Sequence, residues 1–186
     1  MGHSQTQKQQ NHERIVQLAA RRFRELGIDG LSIANLMKEA GLTHGGFYKH
    51  FESRDDLVVQ AVGAALENSG AAHRTRKADI FPALVESYLS NRHRDAPGQG
   101  CALGALASDM SRAPHDARAL YTVQLRTSLA HIAELVGVGT QAEAIVAFSA
   151  MVGALNLARA VNDPALSAEV LSTVRDYLVK HFKLAT

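Results

Sequence analysis

The sequence predicts an all-α protein of about nine helices, and three observations carry that expectation. Apolar residues recur at helical spacing through every long segment. No stretch alternates apolar and polar residues as a half-buried strand would. The interruptions fall on clusters of Gly, Pro, Asn and Asp, the residues that stop helices.

The first periodic segment runs from about Asn11 to Leu26, with Ile15, Leu18, Ala19, Phe23 and Leu26 on one face and Arg21, Arg22 and Glu25 elsewhere. Gly27 follows as a C-cap. Ser32 opens a second helix with Ile33, Leu36, Met37 and Ala40 on its apolar face, and Gly41 closes it after barely two turns. Thr43 is placed to cap a third short helix that runs through Phe47 and Tyr48 to about Phe51. Ser53 caps a fourth, whose first turn holds Asp55 and Asp56 where the helix dipole favours acids.

Beyond this point the helices lengthen. The fourth runs to about Asn68, and helical patterns follow at about Ile80–Arg92, Leu103–Ser111, Ala117–Val136, Ala142–Val161 and Leu166–Lys183. Breaks are expected at Asp95–Gly100, Ala113-Pro114, Gly137–Gly139 and Asn162–Pro164. The spacing suggests a helix-turn-helix domain at 1–57, including the start of a linking helix, and a larger helical domain at 58–186.

Composition excludes several classes. With 46% hydrophobic and 20% charged residues in 186, the chain has the balance of a globular protein. Its net charge of +2 is small, and the excess of basic residues is confined to residues 1–54, with eight Lys/Arg against five Asp/Glu. Cys101 is the single cysteine, so there is no intrachain disulfide framework and no Cys-based zinc ribbon. No apolar run approaches the roughly 20 residues of a membrane span, and the polar start from Met1 to Asn11 is not a signal sequence. Met1–Thr6 fits the short myristoylation pattern, but no basic patch follows, and it reads as a solvated tail. These features point to the cytoplasm, without a membrane partner. His73, His93, His115, His131 and His181 lack ligand spacing, so no metal or cofactor is expected. No paired carboxylates and no nucleophile with its base are visible, which argues against an enzyme.

The informative constellation is helix, sharp turn at Ala40-Gly41-Leu42-Thr43, and second helix. Gly41 can adopt the backbone conformation that such a turn needs. The second helix of a helix-turn-helix enters the major groove of DNA with its N-terminal residues toward base edges, here Thr43, His44, Gly45 and Gly46. Two glycines in a short helix cost roughly 1 kcal/mol each relative to alanine. Close approach of the backbone to DNA is a reason to keep them. Tyr48 can donate its hydroxyl to phosphate or a base edge, and Lys49 and Arg54 can meet the phosphate backbone.

The segment Leu31–Phe51, LSIANLMKEAGLTHGGFYKHF, followed by Ser53-Arg54-Asp55-Asp56-Leu57, resembles the tetracycline-repressor (TetR) family of bacterial regulators. The likeness spans about 45 residues, from Arg14 to Leu57. It implies a three-helix DNA-binding domain, a linking fourth helix, and a helical domain that dimerises and binds a small-molecule inducer. Carried over by position, Thr43 resembles the capping phosphate contact, His44 and Gly46 face bases, and Tyr48, Lys49 and His50 meet the backbone. Gly45 and Ser32, at the start of the second helix, belong to the same DNA-contacting set. Arg54 stands where the family often has a basic residue. His44 departs from the residues common at its position in the family, so a weaker or pH-dependent contact is expected there.

The last two helices resemble the family's dimer-forming pair, through Ile145, Phe148, Val152 and Leu155 on one and Val170, Leu171, Val174 and Leu178 on the other. The alternative is that both stripes are buried within one chain. A homodimer matches a palindromic operator. The expected function is therefore that of a sequence-specific regulator, a repressor released from operator DNA by an inducer. A second reading makes Cys101 a thiol switch for oxidants or electrophiles. Gly98–Leu106 resembles the glycine-cysteine helix opening of a branch of these regulators, and a helix N-terminus lowers a thiol pKa. Against it, a lone cysteine is usually a small buried hydrophobe.

Overall fold

The computed structural model describes residues 2–74, 81–136 and 141–182, with the side chains of 2–4 and 70–74 left aside. Among the described residues there are nine α-helices, two 3₁₀ helices and no strand. The Gly137–Gly139 break and the expected helix limits at Ile80 and Lys183 lie outside the described residues. The chain forms two compact units: residues 1–70 with 101–122, and residues 71–100 with 123–186.

The first unit holds α1 (Gly2–Leu26), α2 (Ile33–Glu39), a 3₁₀ helix (His44–Lys49), most of α3 (Arg54–Arg74), α6 (Ala102–Met110) and the start of α7 (His115–Val136). Its core contains Ile15, Phe23, Leu36, Met37, Phe47 and Leu106, all under 3% exposed. The helix α1 begins well before Asn11, the expected start of the periodic segment. Residues Gln5 to Gln10 are helical without burial, supported by Gln7 donating to Asn11 (3.3 Å) and Gln9 to Glu13 (2.8 Å).

Gly27 ends α1 with φ +77° and Gly41 ends α2 with φ +68°, conformations that a side chain would strain. Ser32 caps α2 by accepting from the Asn35 amide (3.2 Å), and Ser53 caps α3 by accepting from that of Asp56 (3.1 Å). For α6 the capping hydroxyl comes from elsewhere. Cys101 offers no side-chain cap, and Ser69 Oγ of α3 accepts the Ala102 amide (2.9 Å) while donating to the Ala65 carbonyl (2.9 Å).

In the second unit the segment expected as one helix at Ile80–Arg92 is divided. It forms α4 (Phe81–Tyr88) and α5 (Asn91–Asp95), because Ser90 leaves helical geometry and caps α5 through the His93 amide (3.2 Å). The long α8 (Gln141–Ala160) packs along α9 (Pro164–His181), and α4 lies against both. Arg159 of α8 holds the end of α5 by donating to the carbonyls of His93 (2.6 Å) and Arg94 (3.0 Å). Asp163 caps α9 by accepting from the amides of Ala165 and Leu166. By length and composition alone α8 is apolar enough to cross a membrane, with mean hydropathy 1.4. Ala144, Ala147, Met151, Leu155 and Ala158 of that helix are buried in the unit, as in a core helix.

Candidate nucleic-acid interface

The turn between α2 and the 3₁₀ helix is fastened from α1. Arg14 donates to the Ala40 carbonyl (2.6 Å), the group that ends α2. Two turns further along α1, Arg22 forms a fork on Glu39, with Nε and Nη2 donating to its carboxylate at 2.7–3.1 Å, and also bonds Glu25 (2.7 Å). The same guanidinium holds the Glu39 carboxyl below its usual pKa. These arginines and glutamates fix α2 on α1. Their spacing gave no cue to pairing, because side chains 17 residues apart in sequence meet only after the turn is made.

The segment after the turn sorts its residues by side. Phe47 is fully buried and stacks on Phe51 with ring centroids 5.2 Å apart, while Phe51 stacks on His12 of α1 at 4.8 Å. Thr43, His44, Gly45, Tyr48 and Lys49 are exposed, Tyr48 by 71%, and Gly46 is half-buried. The element is a 3₁₀ rather than an α-helix, and its two glycines lower the propensity for the α form. Thr43 occupies the cap position with extended backbone, but its hydroxyl makes no capping hydrogen bond.

The two glycines are not demanded by the chain. Neither has positive φ. A Cβ at Gly45 would meet nothing within 4 Å, and one at Gly46 only ordinary contacts with Met37 and Thr43 at 3.6 Å. The surface they leave open faces outward.

Arg54 points into its own domain. Its Nη2 donates to the Ile28 carbonyl (2.8 Å) and lies 3.5 Å from Asp29, so the guanidinium braces the α1–α2 loop while remaining 42% exposed. Ser32, besides capping α2, is exposed. His50 is half-buried with its Nδ1 covered and without a hydrogen-bond partner, and its pKa is lowered by burial and then by the charges of His12, Lys8 and Lys49. His12 and Lys8 are residues that sequence reasoning missed. They precede the apolar stripe of α1, so no periodic signal marked them.

Cys101 lies in the first unit and is 5% exposed. Tyr121 beside it donates to the Leu103 carbonyl (2.7 Å), and burial, with Cys101, pushes its phenol up to about 12. The residues taken as a dimer stripe divide in two. Phe148, Leu155, Leu171 and Leu178 are buried within the chain, whereas Val152, Val170 and Val174 are half-buried and Ile145 is 45% exposed. A different set of large apolar residues is exposed beside Ile145: Val146, Leu157, Leu166 and Tyr177. The second unit also carries an open groove of about 640 Å³, bordered by Glu86, Asn91, Glu169 and Arg175 over Leu89 and Leu171. Among the described residues no cluster of His, Cys, Asp and Glu could hold a metal ion.

Residues 15–61 match the family model of bacterial regulatory proteins of the tetR family. An HTH-type transcriptional regulator of Staphylococcus aureus strain USA300 is 31% identical over 58 residues, which cover 31% of this chain and 31% of that protein. The chain thus matches about a third of the length of its curated relatives. Over nearly the whole chain the fold is shared with a TetR-family regulator from Agrobacterium tumefaciens (TM-score 0.78, 20% identity, 94% of this chain and 98% of that one). It is shared also with the reduced form of E. coli NemR (TM-score 0.73, 18% identity, 92% and 96%). Residues 15–61 are therefore similar in sequence to the tetR family of bacterial regulatory proteins, and nearly the whole chain shares the fold of the solved regulators.

Proposed function

We infer that the protein is a cytoplasmic, homodimeric regulator of transcription, a repressor that binds a palindromic operator and leaves it when a small-molecule inducer occupies the larger helical domain, residues 58–186 of the chain. One observation carries the DNA-binding part: the Thr43–His50 segment buries Phe47 completely and turns Thr43, His44, Tyr48 and Lys49 outward around two glycines that the fold does not require. That combination gives a polar ridge whose backbone can come close to base edges and phosphates. In this reading His44 and Gly46 read bases, Gly45 allows approach, and Thr43, Tyr48, Lys49 and His50 contact the backbone. The family match over residues 15–61 supports the assignment.

The homodimer is assigned to α8 and α9, and the exposed Ile145, Val146, Leu157, Leu166 and Tyr177 form the contact, with Val152 and Val174 at its border. An apolar surface of this kind is unfavourable in water and favours association with a second copy. A two-fold pair then presents two recognition segments about 34 Å apart, one turn of DNA. Inducer binding acts by favouring a dimer with a different separation. Because a ligand shifts an equilibrium only through differential affinity, DNA and inducer must weaken one another by the same factor. The burial of Cys101 favours this ligand response over direct oxidation of the thiol.

A footprint of the purified protein on its own promoter tests the proposal. A protected palindrome, lost when His44 and Lys49 are both replaced by alanine, is the expected result. Protection that survives the double replacement would assign recognition to another part of the chain.

A further inference from the structure

The first turns of α1 have no packing reason to be there. Residues Gln5 to Gln10 are all exposed, and the first buried residue of the helix is Ile15. A helical segment that is polar on every side and covers no core is either held by side-chain pairs or awaits a partner. The pairs Gln7–Asn11 and Gln9–Glu13 account for other faces of the helix.

The face that carries His12 is different. His12 stacks on Phe51 (4.8 Å) and has its ring 6.3 Å from that of His50, so α1 crosses the end of the recognition segment there. Its Nε2 is 2.8 Å from Gln60 Oε1, and Gln60 in turn donates to Asp56 (2.7 Å) in the first turns of α3, which fixes the crossing. At 3.6 residues per turn, the residues that continue this face toward the N-terminus are Lys8 and then Gln5. Lys8 and Lys49 both lie near enough to His50 for their charges to act on it. Among the described residues neither lysine has an acidic partner.

We propose that the N-terminal turns of α1 are a second DNA-contacting element, in which Lys8, with Gln5 beside it, meets a phosphate adjoining the one held by Lys49. The inference rests on the DNA-binding reading of the Thr43–His50 segment. It extends that surface onto an element outside the helix-turn-helix. The occupant is duplex DNA because the face continues from the Thr43–His50 segment and carries a cation, Lys8, and an amide donor, Gln5. These are the groups that bond phosphate oxygens.

The test is the salt dependence of binding of the full chain to random-sequence duplex DNA, since phosphate contacts are independent of sequence. Lys8→Ala and Lys49→Ala should each lower the slope of log affinity against log salt by about one unit, and the double variant by about two. Lys180→Ala on α9 removes the same charge elsewhere and should leave the slope unchanged. A lowered slope for Lys49→Ala with an unchanged slope for Lys8→Ala overturns the α1 contact and leaves the DNA-binding reading intact. Unchanged slopes for both overturn the two readings together. An equal loss for Lys8→Ala and Lys180→Ala reduces the effect to net charge and likewise sinks the proposal. Thermal melting of Lys8→Ala should match that of the unaltered protein, because the side chain supports no core.

Discussion

The recognition segment and the α8–α9 pair differ in how their apolar residues are divided between inside and outside. In residues 44–51 every large aliphatic or aromatic side chain except Tyr48 is buried, and the exposed side is polar. In α8 and α9 both sides are apolar: Leu155 is fully buried while Leu157, two residues on, is 59% exposed. Hydrophobic periodicity locates a buried face reliably when the other face is polar. Where both faces are apolar, it does not say which of them closes the unit and which is left for a partner.

The pair Leu155 and Leu157 is the sharpest way to break this comparison. Leu155→Ala should remove about 2–5 kcal/mol of stability, the usual cost of truncating a buried leucine, as measured by chemical denaturation. Leu157→Ala should cost the isolated subunit no more than about 0.5 kcal/mol, as for other surface positions. Similar losses at the two positions, under conditions where the protein is monomeric, would erase the distinction between the two faces.

The dimer proposal predicts a second contrast. Val146→Glu with Leu157→Glu should give a folded monomer with weakened operator binding, seen by sedimentation and by fluorescence anisotropy. A charge pair that leaves a tight dimer would move the interface to another surface.

What was legible in the sequence follows the same division. The helix-turn-helix was readable because Gly27, Ser32, Gly41 and Ser53 punctuate it with residues whose backbone or capping demands are specific, and each carries out its expected role. The inward turn of Arg54 and the clamp of Arg14 on Ala40 were not readable, since a charged residue carries no periodic signal of where its head group ends. The early start of α1 was missed for a related reason: its first turns contain no apolar residue, and side-chain amide pairs leave no hydrophobic pattern. In α8–α9 the stripe Phe148–Leu155 with Leu171–Leu178 was correctly recognised as apolar. Its burial inside one chain depends on the pairing of α8 with α9, which spacing along either helix does not encode.

Gly45 offers a smaller test on the recognition side. With open space at the Cβ position and no positive φ, Gly45→Ala should leave the fold intact and raise its stability by up to about 1 kcal/mol. Operator binding should weaken nonetheless, because the added methyl stands between backbone and DNA. A variant that is more stable and binds as before would mean that the glycine is merely tolerated.

The smallest expected effect concerns His50, and it separates folding from binding by sign. Burial and the nearby charges of His12, Lys8 and Lys49 lower the folded-state pKa below the ordinary 6.5. Above that value the ring is neutral in both folded and unfolded chains and contributes no pH dependence. As the pH falls through 6.5 toward the lowered value the unfolded chain takes up the proton first, so stability declines across that window and levels off below it. The decline is modest, since the ring is only half-buried. In the proposed complex a phosphate beside His50 would act in the opposite direction and favour its charged form, so operator affinity should rise over the window in which stability falls. His44→Gln serves as the background, to remove the other histidine of the segment. Adding His50→Gln should then flatten both profiles. If only the stability profile flattens, His50 is a structural member of the segment and does not meet phosphate.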